Sequence, residues 1–118
     1  MTVSLKRAYL PSSPGDGYRV LVDRLWSRGV SKERMQLFEW GKTVAPSESL
    51  RKACHGGPIA WPEFRRRYIV ELKAPRGELE RLGRFSKDGN LTLVYGAHDE
   101  KRNHAIVLRK YLKMVGIG

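Results

Sequence analysis

Two short stretches of this 118-residue chain carry residue types and spacings that could do chemistry. In the first, YRVLVDRLWSRG from Tyr18 to Gly29, the apolar run Val20, Leu21 and Val22 leads directly into Asp23 and Arg24. Leu25, Trp26, Ser27, Arg28 and Gly29 follow. β-Branched and apolar residues suit a packed, pleated strand, and open α/β folds place ligands where such a strand leaves its sheet. Asp23 and Arg24 either line a pocket there for a phosphate, sugar or base, or pair to hold the loop, because charge beside a core must be partnered. Successive strand residues point to opposite faces, so the two diverge unless the strand has already ended. Arg28 and Gly29 offer a phosphate a guanidinium fork and open backbone N–H groups. The alternative is a surface arginine beside a turn glycine.

In the second stretch, the apolar run LTLVYGA, Leu91 to Ala97, meets His98 and Asp99, with Asn103 and His104 close behind. Histidine titrates near neutrality, which suits His104 to general acid/base work; on an apolar helix face it serves equally as a hydrogen-bonded core residue. Asp99 doubles as a helix N-cap. His98 and His104 do not have the i, i+4 spacing of a helical zinc motif, so no metal is expected. No cofactor fingerprint is present either, neither GxGxxG nor a P-loop. Cys54 and His55 are adjacent, and neighbours on a helix point about 100° apart, which discounts a thiol–imidazole pair.

The elements that must position these groups follow from periodicity and punctuation. Val3 to Arg7 alternates as a short half-exposed strand, and PSSPGDG, Pro11 to Gly17, is a loop or turn. Tyr18 to Leu25 reads as a strand covered on both faces. Ser31 caps a short helix, Phe38 to Val44 is ambiguous, and Ser47 caps a second helix that ends at His55 to Pro58. Trp61 to Lys73 is amphipathic, burying Trp61, Phe64, Tyr68 and Leu72. Pro75 and Gly77 break the pattern before a helix from Glu78 to Phe85. Leu91 to Ala97 is the second buried strand, and a terminal helix capped by Asp99 aligns His104, Leu108, Tyr111, Leu112 and Val115. The two buried strands are expected side by side and parallel, bringing Asp23 and Arg24 near His98 and Asp99 through right-handed crossovers. The fold class is α/β: one compact domain over residues 1–118, with a small, mainly parallel sheet flanked by helices.

Composition bounds the rest. A chain this long buries roughly two-thirds of its unfolded surface in one domain. No run reaches the ~18 apolar residues of a membrane span, the amino terminus lacks a secretory h-region, and the single Cys54 suits a reducing cytosol. The 23 Lys and Arg against 12 Asp and Glu give a net charge of +11, which favours anionic partners. Arg65, Arg66 and Arg67, with Arg51, Lys52, Lys101, Arg102, Arg109 and Lys110, could form a phosphate-tracking nucleic-acid surface or simply a solvated one.

The segments DGYRVLVDRLWSRG, APSESLRKACHG, FRRRYIVEL and TLVYGAHDEKRNHAIVLRKYL resemble the YeaO-like family of small bacterial proteins (domain of unknown function 488), from Lys6 to about Leu112. The resemblance implies a compact cytosolic α/β domain and brings no established activity. Matching positions are Asp23, Arg24, Trp26, Arg28, Gly29, His55, Gly56, Asn103 and His104. Ser27 stands where the family usually has proline and Leu10 where it usually has aspartate. In more distant relatives a Cys-His pair takes the place of Asn103 and His104, so a cysteine nucleophile at that point is missing here.

The leading expectation is a cytoplasmic protein with a polar, cationic pocket at the strand carboxyl ends. It binds an anionic small molecule such as a nucleotide and could act on it. Arg24 and Arg28 hold the anion, Asp23 or His104 moves a proton, and Trp26, Gly29, His98, Asp99 and Asn103 complete the ligand set. The alternatives are a nucleic-acid module using Arg65, Arg66, Arg67, Lys101 and Arg102, and a non-catalytic interaction protein. The sequence sets no oligomeric state.

Overall fold

A computed structural model of the chain describes residues 2–54 and 59–116. The sheet has the order β1-β4-β2-β3, from β1 (Thr2–Arg7), β2 (Tyr18–Leu21), β3 (Glu39–Trp40) and β4 (Asn90–Tyr95). Every pairing is parallel, and the two buried strands are neighbours in the register Tyr18↔Leu91 to Leu21↔Val94. The helices are α1 (Lys32–Met35), α2 (Glu48–Cys54), α3 (Trp61–Glu71), α4 (Arg76–Asp88) and α5 (His104–Met114).

The strand alternation divides the interior in two. Val20, Val22, Leu91, Leu93 and Tyr95 face a large core closed by Leu50 of α2, Phe64 and Tyr68 of α3, Leu79 and Leu82 of α4, and Leu108 and Leu112 of α5. Leu21 and Val94 face the other side, where Ala8, Val30 and Met35 form a smaller core under Trp26 and Trp40. Cover on both faces is why both strands read as unbroken apolar runs.

Local signals set most element ends. Ser31 accepts the Arg34 N–H at 3.1 Å and Ser47 accepts that of Leu50 at 3.2 Å, so each caps its helix. The ambiguous Phe38 to Val44 resolves into two-residue β3 and a 3-10 turn, Lys42–Val44. Three expectations are corrected. The β2 ladder ends at Leu21 rather than Leu25, so Asp23 and Arg24 belong to a loop. Gly77 does not interrupt α4 but lies in its first turn, where the helix has few internal hydrogen bonds to lose. The N-cap of α5 is Asn103, not Asp99: Asn103 Oδ1 accepts the Ile106 N–H at 3.0 Å, while Asp99 caps the preceding turn. The segment proposed to end α2, His55 to Pro58, lies outside the described residues.

At the amino ends of the strands, buried Asp16 takes Arg19 Nη1 at 2.6 Å and Lys6 Nζ at 3.0 Å. Burial works to raise its carboxyl, but hydrogen bonds from Lys6, Ser13 and Arg19 outweigh it and hold the group at about 2. This cluster fixes the loop entering β2. The opposite edge of the sheet is where functional groups gather.

Candidate functional site

A cavity of about 300 Å³ opens at the carboxyl ends of β2 and β4. The loop after β2 supplies Asp23 to Arg28, the loop after β4 supplies Gly96 to His98, and Arg51, Phe64 and His104 come from α2, α3 and α5. The centre is a contact between the first loop and the last helix. His104 Nε2 lies 3.0 Å from the Val22 carbonyl and 2.8 Å from Asp23 Oδ1. Both are acceptors, so Nε2 carries a ring proton. The N–H is aligned on the carbonyl; Asp23 Oδ1 lies beside the ring, buried and with no aligned hydrogen bond among the described residues.

The other oxygen, Asp23 Oδ2, accepts the Gly96 N–H at 2.8 Å. A Cβ at Gly96 would stand 2.9 Å from that oxygen and 3.2 Å from Ser27 Oγ, so glycine is what lets the β4 end approach the carboxylate. Tyr68 packs against His104 from the core, its ring edge-on to the imidazole at 6.2 Å and its hydroxyl donating to Val44 O at 2.5 Å. Burial, with Glu71 and Asp23 adding to it, pushes that phenol far above its ordinary value, so it stays a neutral donor.

The positive groups divide by how fully they are engaged. Arg24 donates from Nε to Pro46 O at 3.1 Å and reaches Ala45 O at 3.5 Å, so it clamps the loop before α2 as well as lining the cavity. Arg28 is exposed, with no hydrogen-bond or ion-pair partner among the described residues. Arg51 keeps a buried Nε without a partner among the described residues. His98 sits at the rim, 3.4 Å from Arg7 Nη2. Trp26 donates its indole N–H to Val30 O at 2.6 Å and meets Trp40 edge-on at 5.3 Å, which pins it as a wall.

Of the sequence candidates, Asp23, Arg24, Trp26, Arg28, His98 and His104 therefore meet at one cavity. Three do not line it. Asn103 is buried as the α5 cap and donates to Asp99 O at 2.9 Å. Exposed Asp99 binds the backbone of Lys101 and Arg102, whose N–H groups hold its carboxyl below the usual range. Gly29 takes a left-handed turn, φ 81°, that lets the chain turn toward Val30. Arg51, Ser27, Gly96, Tyr9 and Phe64 also line the cavity without having been singled out for it. Arg51 had looked like one more surface cation; only the packing of α2 distinguishes it. His55 and Gly56 lie outside the described residues.

The basic surface is less assembled. Arg66 and Arg67 both bind Glu63, each at 2.7 Å, and all are at least partly exposed. Burial raises the Cys54 thiol, which favours its protonated form. Among the described residues no group of three or more His, Cys, Asp or Glu is gathered as for a metal, and no helix is long and apolar enough to cross a membrane.

A small parallel α/β domain with a mixed-charge cleft at its strand carboxyl ends is the class this geometry defines. The chain belongs to the DUF488-N3i family, described as the inactive DUF488-N3 subclade, which it matches over residues 2–115. It is 44% identical to the uncharacterized protein YeaO of Escherichia coli (strain K12) over 113 residues, 96% of this chain and 98% of that one. An uncharacterized Mycobacterium bovis protein and one from Mycobacterium tuberculosis (strain H37Rv) are each 37% identical over 110 residues, 93% of this chain and 92% of theirs. No solved structure matches.

Proposed function

We propose that this protein is a cytoplasmic binder of an anionic small molecule, held in the cavity at the carboxyl ends of β2 and β4. The observation that carries the reading is the charge balance of the lining. Three guanidinium groups, those of Arg24, Arg28 and Arg51, surround the space with one carboxylate, Asp23, which already accepts the Gly96 N–H. Guanidinium groups gathered in a concave site attract oxyanions more strongly than the same groups dispersed in bulk water. Arg28 and Arg51 hold the anion, Arg24 and Asp23 position the walls, and His104 meets the ligand.

Binding without turnover is the form of this reading that the description of the subclade as inactive favours. It agrees with Asn103, an N-cap with no nucleophilic atom, at the position where the family resemblance places a cysteine in distant relatives. The nucleic-acid reading is weaker, because Arg66 and Arg67 are already occupied with Glu63.

Thermal unfolding in inorganic phosphate tests the proposal. Ligand at a hundred times its dissociation constant adds about 2.7 kcal/mol, a rise of several degrees for a domain this size. The rise should be saturable and largely lost in Arg28→Ala and Arg51→Ala. A small, equal shift in all three proteins would count against the pocket.

A further inference from the structure

We infer that the anion this pocket takes is the phosphate of a monoester carrying a flat, apolar or aromatic body, rather than a bare oxyanion or a phosphate on a polyol. The inference rests on the anion-binding reading above and narrows its ligand class. Size is the first ground. Liquid water occupies about 30 Å³ per molecule, so a cavity of about 300 Å³ has room for roughly ten such volumes. A bare oxyanion leaves most of that space unfilled, while the volume sits at the lower end of pockets that enclose small organic ligands.

The second ground is the apolar share of the lining. Beside its arginines the lining includes four side chains with no charge, those of Leu25, Trp26, Pro46 and Phe64. Leu25 is 58% exposed although it is a large apolar side chain on the rim, and it gains from any apolar surface laid against it. The aromatic members are held in place beforehand. Trp26 is fixed by its bond to Val30 O and by Trp40, and Phe64 stacks on Trp61 at 5.4 Å and lies 5.9 Å from Tyr68. A wall that is already rigid costs little entropy when a planar group packs on it, and rings prefer offset or edge-on partners of this kind. A polyol laid on those apolar side chains would instead exchange its water for carbon.

Calorimetric titration of the full chain with inorganic phosphate, glycerol 1-phosphate and phenyl phosphate tests this. Phenyl phosphate should bind about tenfold or more tighter than the other two. Leu25→Ser should bring it down to the affinity of glycerol 1-phosphate, whereas Met114→Ser, at a still more exposed apolar residue at the far end of α5, should leave the preference intact. Equal affinities for phenyl and glycerol phosphate in the wild type would overturn the ligand class while leaving anion binding standing. Binding of none of the three would overturn the anion reading itself and this inference with it.

Discussion

Asp23 Oδ1 lies 2.8 Å from His104 Nε2, joining the loop that leaves β2 to the first residue of α5. The same carboxylate accepts the Gly96 N–H, so one side chain ties together the ends of both central strands and the last helix. The cavity takes its shape from this junction. Asp23→Ala should leave the half-buried Gly96 N–H unpaired and the imbalance should cost about 1–3 kcal/mol, read as a fall of several degrees in Tm. Asp23→Asn, which keeps an acceptor, should cost less. An Asp23→Ala protein as stable as wild type would mean that the junction is not a support.

Gly96→Ala probes the same junction from the other strand. A Cβ 2.9 Å from Asp23 Oδ2 and 3.2 Å from Ser27 Oγ must push the carboxylate away or lift the β4 end. Phosphate binding should weaken in this variant even where circular dichroism shows the fold retained. Unchanged affinity would show that the position of Asp23 does not matter to the ligand.

The exposed arginines of α3 should behave differently. Arg66→Ala and Arg67→Ala break solvent-exposed pairs with Glu63, and water screens such pairs until they contribute little. Chemical denaturation should therefore place both variants close to wild type, and calorimetry should find their phosphate affinity unchanged. If instead they abolish binding of a short oligonucleotide whose affinity falls steeply with salt, the basic surface is the functional one.

Acid stability should report on Asp16. Its carboxyl titrates at about 2 in the folded chain against an ordinary 3.8. A depressed value means that the contribution is fully present above the unfolded value and is lost as pH falls from about 4 to about 2. Asp16→Asn should flatten the stability-against-pH curve in that window. An unaltered slope would show that the Lys6 and Arg19 contacts do not hold the proton off.

The parts of this molecule legible in the sequence are those set by short-range physics. The apolar runs around Val20 and Leu93 announced buried, parallel, adjacent strands, and Ser31 and Ser47 announced their helices. Local chemistry was less decisive where two residues could do one job. Asp99 and Asn103 are both competent caps, and the tight turn that Asp99 makes with Lys101 and Arg102 leaves the helix start to Asn103. Arg51 shows the same limit for the site. Its type and spacing match the surface cations around it, and only the packing of α2 against the strand ends turns it toward the cavity.

The central claim, that an anion is bound at the strand carboxyl ends, is tested most directly by amide chemical shifts during a phosphate titration of ¹⁵N-labelled protein. The predicted result is saturable movement of the Arg28, Gly96, Ala97 and His104 amides, with those of Arg65, Arg66 and Arg67 unmoved. Movement confined to α3, or none that saturates, would contradict it.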